Sequence, residues 1–236
     1  MKKLTNIKVV AFDYGGTLDL PGLHWFSFLW ELVQTKLTGD ITVTREEFWD
    51  AYVFGERELE KHPIPTTTGL FENLLFKSRY EMDYLAKHIL SLTNDDKERL
   101  ALKLTEAATT SITEGTYAES REVLSKLYGK YQLFIVSNYY GNLKTVLQEA
   151  DFLRFIDVLI DSTLVGLRKP DPAIWQLAID SACVPAEQIL VVGDSMKNDI
   201  APAMSLGCQT AWLTKNPDED YNGIVIGTLS ELLDIL

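Results

Sequence analysis

Cysteine is almost absent from this chain. Only Cys183 and Cys208 occur in 236 residues, and two such residues give neither a disulfide framework nor metal-ligand spacing. Both are expected to be buried free thiols in a reducing compartment. No window approaches the ~20 apolar residues that a membrane-spanning helix needs. The opening MKKLTNIKVV has two lysines but no apolar stretch of signal-peptide length. Positive charge is the second shortage. Twenty-two Lys and Arg stand against 34 Asp and Glu, for a formal net charge of -12. A chain this acidic is a poor partner for nucleic acid or an anionic membrane. The expectation is a cytoplasmic protein, monomer or homodimer, that acts on a small molecule. A phosphorylated substrate would need local positive charge or a metal to enter so negative a protein. Internal repeats and low-complexity tracts are missing too, so no solenoid or disordered linker is expected.

What the chain does have is a series of short apolar runs that end in polar residues. Val9–Phe12 runs into Asp13, Leu133–Val136 into Ser137, and Ile189–Val192 into Gly193-Asp194. A weaker run covers Val158–Ile160, and further strands are expected at about 209–213 and 224–226. Helical spacing fills the gaps: about 120–128, 141–149, 172–183, and a last helix opened by Thr228. Continuous apolar strands alternating with helices read as an α/β fold with a doubly wound parallel sheet.

Residues 22–115 break that rhythm. Phe26, Leu29, Trp30, Val33 and Leu37 recur at helical spacing. Thr44-Arg45-Glu46-Glu47 reads as a capping box, His62-Pro63-Ile64-Pro65 as a break, and two more helices are expected over about 69–92 and 94–113. No buried strand is expected here. The division is a core of residues 1–21 and 116–236 around an all-helical insert, 22–115. The insert is rich in aromatics, most of them expected to pack between helices, with a few near Arg57 or His62 free to line a pocket.

In open parallel sheets, ligands bind beyond the carboxyl ends of the strands. Asp13, Thr17, Ser137, Lys169, Asp194 and Asp199 all fall at such ends or in the loops that follow. In order and context they resemble the four motifs of the haloacid dehalogenase-like (HAD) hydrolase superfamily: Asp13-Tyr14-Gly15-Gly16-Thr17, Ser137, the lysine of Arg168-Lys169-Pro170, and Gly193-Asp194-Ser195-Met196-Lys197-Asn198-Asp199. The resemblance covers essentially the whole chain, and the insert stands where that family carries a helical cap. It implies that Asp13 is a nucleophile forming an aspartyl-phosphate. Thr17, Ser137, Asn138 and Lys169 bind the phosphoryl group. Asp13, the backbone carbonyl of Gly15, Asp194 and Asp199 hold Mg2+, which favours a few carboxylates and retained water. Asn198 supports Lys169 or its loop, and Ser195 serves as an N-cap or a site residue.

One position departs from the pattern. The family's phosphatases usually carry a second aspartate two residues after the nucleophile, as general acid and base. Here that residue is Gly15. Losing such a group typically costs about 10²–10⁴-fold. Three hydrolytic readings follow. The protein is a phosphatase whose substrate leaves easily or whose acid lies elsewhere, with Asp19 and His24 as candidates. It is a 2-haloacid dehalogenase, which the presence of Asp194 argues against. Or it is a phosphonatase-like enzyme using a cap lysine from among Lys36, Lys61, Lys77, Lys87, Lys97 and Lys103. A reading of another class is a catalytically weak regulatory protein that keeps the metal site. Restoring aspartate at position 15 is expected to speed hydrolysis of simple alkyl phosphates.

Overall fold

The computed structural model describes residues 3–218 and 220–236; Met1, Lys2 and Glu219 lie outside the described residues. Six parallel strands form one sheet: β1 (Val9–Phe12), β2 (Gln132–Ser137), β3 (Val158–Asp161), β4 (Ile189–Gly193), β5 (Gln209–Leu213) and β6 (Ile224–Ile226), in the order β3-β2-β1-β4-β5-β6. The chain therefore leaves β1 at the centre and builds outward in both directions. Phe12 lies level with Ile135 and Val192, so three neighbouring strands end at nearly the same height. That alignment turns three strand-end residues, far apart in sequence, into one cluster.

Alternate residues face opposite layers. Val9, Ala11, Phe134, Val136 and Val191 pack on α8 (Ala173–Ala182) and on Ala203 of α9 (Ala201–Ser205). Val10, Phe12, Leu133, Ile135, Leu190 and Val192 face the other way. There they meet α5 (Tyr117–Leu127), α6 (Leu143–Glu149) and α10 (Leu232–Ile235). A short helix, α7 (Ser162–Val165), follows β3. Each fully buried aliphatic or aromatic side chain contributes about 1.5–3 kcal/mol, so both faces need their helices.

The insert between β1 and β2 is helical, as its periodicity implies: α1 (Trp25–Lys36), α2 (Arg45–Lys61), α3 (Leu70–His88) and α4 (Asn94–Thr110). The Thr44 capping box forms, with Glu47 donating its backbone N–H to Thr44 Oγ1 at 3.2 Å and accepting the Thr44 N–H at 2.7 Å. Among the described residues the insert has no separate apolar core. Phe26, Phe48, Leu74 and Leu104 belong to the same buried cluster as Phe12 and Ile135. Polar ties within the core fasten the loop after β1 to α5: the hydroxyls of Tyr14 and Tyr117 are 2.7 Å apart, and Ser120 Oγ donates to the Leu18 carbonyl at 2.7 Å.

Three details differ from expectation. Residues expected to separate α4 from α5 are helical, because a π-helical turn at Ser111–Thr116 carries one helix into the next. Cys208 is buried but Cys183 is exposed, at the left-handed C-cap of α8. Thr228 stands at the N-cap of the last helical segment without a side-chain capping bond.

Candidate active site

The loop after β1 is wound tightly on itself. The Tyr14 carbonyl accepts from the N–H groups of Thr17, Leu18 and Asp19, and Asp19 Oδ1 accepts from Gly16 N–H at 2.6 Å. Gly16 has a φ of +80°, and a Cβ there would lie 2.5 Å from an Asp194 carboxylate oxygen. Gly193 is equally constrained, since its Cβ would fall 2.5 Å from Asp199. Two glycines thus let two strand-end loops close until their carboxylates face each other.

At the centre, Lys169 donates to Asp13 Oδ1 and to Asp199 Oδ1, each at 2.7 Å. All three side chains are buried. Asp199 also accepts the Ser195 N–H at 3.1 Å. Asp13, Asp194 and Asp199 offer ligand oxygens that all lie within 4.8 Å of one another. One ammonium does not balance three carboxylates. Burial, then the charges of Asp13 and Asp199, push Asp194 up to about 8, opposed by Lys169. Burial likewise lifts Asp199 to about 6, although Lys169 pulls it down. Oxygen donors at this spacing, carrying more negative charge than the protein supplies in cation, suit a hard divalent ion.

These residues floor a cavity of about 260 Å³. Asp13, Gly15, Ser137, Asn138, Lys169, Asp194, Ser195, Asn198 and Asp199 line it from the sheet, and His24, Trp25, Tyr52, Glu56, Leu59, Asn73, Leu74 and Lys77 from the insert. Tyr139, Tyr140 and Arg168 complete the wall. Arg57 and His62 are not among the lining residues; His62 pairs with Glu58 and stacks on Tyr80.

Several expected roles change in the structure. The Thr17 hydroxyl is buried, has no partner and does not line the cavity. The Asn138 side chain is committed to the Lys169 backbone, donating to its carbonyl at 3.0 Å and accepting its N–H at 2.9 Å. Asn138 is therefore the residue that supports Lys169 at the backbone, and of the two roles expected of Asn198 the structure has the one in the loop. Asn198 donates its N–H to Ser195 Oγ, the N-cap, and accepts from the Trp175 indole through its carbonyl. Arg168 pairs with Glu60 of α2 at 2.6 Å, so it ties the site loop to the insert.

Neither candidate for the missing acid fits. Asp19 is fully buried and does not line the cavity. Its oxygens accept from Gly16 N–H and from Trp25 Nε1, the latter at 2.8 Å. Burial pushes it up to about 7 against those two hydrogen bonds, yet its oxygens serve the loop and the indole. His24 does line the cavity. Its Nδ1 accepts from Phe26 N–H at 3.2 Å as the N-cap of α1, and burial, then Lys77, lower its pKa, so the ring is neutral at neutral pH. Trp25 stands beside Gly15, its Nε1 3.6 Å from where a Cβ would be, an ordinary van der Waals contact. An aspartate at position 15 would lie against this indole.

In the sequence Lys77 is one of six insert lysines, and Glu56, Asn73 and Glu81 belong to no motif. Lys77 is buried and ion-paired with Glu56, whose other oxygen accepts from the Tyr140 hydroxyl. A signal existed. Asn73, Lys77 and Glu81 share the buried face of α3 with Leu70, Leu74, Met82 and Leu85, and polar residues on an apolar stripe mark a cavity or a buried pair.

The fold and its acidic floor define a parallel α/β protein with its candidate site at the strand ends. The family model for haloacid dehalogenase-like hydrolases matches residues 7–207, and the chain belongs to that family of hydrolases. Pyrimidine 5'-nucleotidase YjjG of Escherichia coli is 31% identical over 120 residues, 48% of this chain and 53% of the relative. The matched part thus spans about half the length of that relative. Among solved structures, 2-haloacid dehalogenase from Pseudomonas syringae covers 97% of both chains at 21% identity and a TM-score of 0.53. The putative HAD-hydrolase YfnB from Bacillus subtilis, described as bound to magnesium, covers 98% of both at 18% identity and a TM-score of 0.56. At these identities the two structures speak to the fold. No helix among the described residues is long and apolar enough to cross a membrane.

Proposed function

We propose that this protein is a Mg2+-dependent phosphatase acting on a small-molecule phosphate monoester, with residues 22–115 serving as its cap. The observation that carries the reading is the buried Asp13–Lys169–Asp199 array with Asp194 facing it at the floor of one cavity. A haloacid brings its own carboxylate, and a floor with three carboxylates and one ammonium repels it. A phosphoryl group with a divalent cation has the matching charge. The nucleotidase relative points the same way.

Lys169 holds one Asp13 oxygen, which orients the carboxylate while the other oxygen attacks phosphorus. Ser137, at the end of β2, has its hydroxyl at the cavity wall to donate to a phosphoryl oxygen. The Asn138 side chain keeps the Lys169 backbone in place, which leaves its own backbone N–H as its contribution to phosphate binding. Asp13, Asp194, Asp199 and the Gly15 carbonyl would hold Mg2+, which supplies charge neutralisation at the phosphoryl oxygens. Thr17 belongs to the turn through its backbone N–H, which the Tyr14 carbonyl accepts. The insert closes the cavity against water. The free thiols suit a reducing compartment such as the cytoplasm.

The test is a hydrolysis screen over phosphoesters, acyl phosphates, phosphonates and haloacids with and without Mg2+, using Asp13→Asn as the control. Metal-dependent release of inorganic phosphate supports the reading. Metal-free turnover of haloacids alone would sink it.

The acid cluster makes a second prediction. Without metal, Asp194 and Asp199 titrate at about 8 and about 6 in the folded protein, against about 3.9 unfolded. The folded state then binds more protons than the unfolded state between about pH 4 and pH 8, so stability falls as pH rises through that window. A bound cation favours the ionised forms and opposes the loss. Thermal melts in EDTA and in excess Mg2+ should diverge progressively from acidic to mildly alkaline pH. A constant gap would mean that the cation binds elsewhere.

A further inference from the structure

We propose that Lys77 is the proton-transfer residue that Gly15 cannot be, acting on the leaving-group oxygen of an alkyl phosphate. This rests on the phosphatase reading above and names the group that completes it. Lys77 and Gly15 line the same cavity. The Trp25 indole bridges them: its Nε1 is 3.6 Å from the Cβ position of residue 15, and Lys77 Nζ lies 5.8 Å from the Trp25 ring centre. Lys77 Nζ also sits 3.8 Å from the centre of the Tyr52 ring. The ammonium therefore stands on the insert side of the cavity, opposite the Asp13 floor, where the alcohol portion of a substrate must lie. It is held there by Glu56, itself fixed by the Tyr140 hydroxyl. His24 and Tyr52 face Lys77 from the rest of the insert, and Glu81 lies one turn along α3 with both oxygens buried and unpartnered.

The chemistry balances without an external reagent. An Asp13 oxygen forms its bond to phosphorus as the bond from phosphorus to the alcohol oxygen breaks. A Lys77 proton moves to that oxygen, and the alcohol leaves. Water then attacks the aspartyl-phosphate, gives one proton to the neutral Lys77 amine, and the bond from Asp13 to phosphorus breaks. Inorganic phosphate departs with Asp13 ionised and Lys77 again an ammonium. One residue serves as acid and then as base.

A leaving-group series tests this. Wild type, Lys77→Arg and Lys77→Met are assayed with Mg2+ on phosphate monoesters from 4-nitrophenyl phosphate to simple alkyl phosphates. Lys77→Met leaves Glu56 unpaired in a buried place, so the double variant Lys77→Met/Glu56→Gln is included to keep the charge balanced and the fold intact. The expected loss is about 10²–10⁴-fold in kcat/KM on alkyl esters, and within a few-fold on the aryl ester, whose phenolate leaves without a proton; kcat/KM reads the phosphorylation step, whereas hydrolysis of the shared aspartyl-phosphate lowers kcat alike for every ester. Lys77→Arg keeps the charge but its guanidinium does not give up a proton, so it should fail on alkyl esters as the methionine variants do. A loss in kcat/KM equal across the series, or alkyl turnover restored by arginine, would overturn the proposal and leave the phosphatase reading standing. If wild type hydrolyses no ester in the series, both fall together.

Discussion

Replacing Lys169 with methionine will lower the melting temperature by about 10 °C and reduce turnover by on the order of 10³-fold. The stability loss follows from the charge balance on the cavity floor. Lys169 is the cation bonded to both Asp13 and Asp199, and all three side chains are almost wholly removed from water. Removing one partner of a buried ion pair leaves an uncompensated charge and costs about 3–5 kcal/mol. In a chain of this size each kcal/mol moves the melting point by roughly 2–4 °C. The rate loss follows from losing a preorganised cation at the reacting carboxylate, where one such group is typically worth about 10²–10³-fold. Differential scanning calorimetry in EDTA measures the first effect. Excess Mg2+ should recover part of the stability, because the ion brings positive charge to the same carboxylates. It should recover little activity, because it does not replace the hydrogen bond that orients Asp13. Full thermal stability in the metal-free variant would show that Asp13 and Asp199 do not depend on Lys169 for their charge balance.

Asp13→Asn separates chemistry from architecture. The amide keeps the shape of the side chain and an oxygen for Lys169, while removing the nucleophile and one of three mutually repelling charges. Turnover should fall by on the order of 10⁶-fold, the scale seen when a nucleophile is lost. Metal-free stability should be unchanged or improved. The covalent species gives the sharpest measurement. Acid quenching of wild type during turnover should trap phosphate on the protein, and mass spectrometry should place it on Asp13. The variant should carry none. Phosphate on any other residue would displace Asp13 from its role.

The sheet was legible in the sequence because buried parallel strands read as unbroken apolar runs, and Val9–Phe12, Leu133–Val136 and Ile189–Val192 are such runs. Part of the floor was legible for the same reason: Asp13 and Asp194 stand where such runs stop, whereas Lys169 and Asp199 lie further along and were legible only through the motif resemblance. Other features leave no such mark. The π-helical turns at Ser111–Thr116 and Met196–Ile200 have no residue pattern that separates them from ordinary helix. Asn138 and Asn198 look alike in a string. Only the folded loops show that the one beside Ser137 reaches the Lys169 backbone, while the backbone of the one beside Asp199 serves its own turn and Trp175 of α8. The far wall was the hardest part. Lys77 and Glu56 stand 21 positions apart on two different helices, and charged residues in helices are usually solvated. Only the placement of Asn73, Lys77 and Glu81 on the apolar face of α3 hints that these side chains point inward.

The loop between α2 and α3 is fastened to α6. Thr145 Oγ1 donates to the Thr66 carbonyl at 2.7 Å, Asn142 Nδ2 to the Thr68 carbonyl at 2.9 Å, and Leu70 N–H to Glu149 at 2.8 Å. A Cβ on Gly69 would collide with Glu149 at 2.1 Å. Because α3 starts at this clasp, its rotation and its height over the floor are fixed from the sheet side. The helical insert is therefore not a freely exchangeable module. A chimera that received α1–α4 from a relative, but kept an α6 without Asn142, Thr145 and Glu149, would carry the donor's pocket residues out of register with the recipient's nucleophile. Transferring substrate preference between members of this family requires moving both sides of the clasp together.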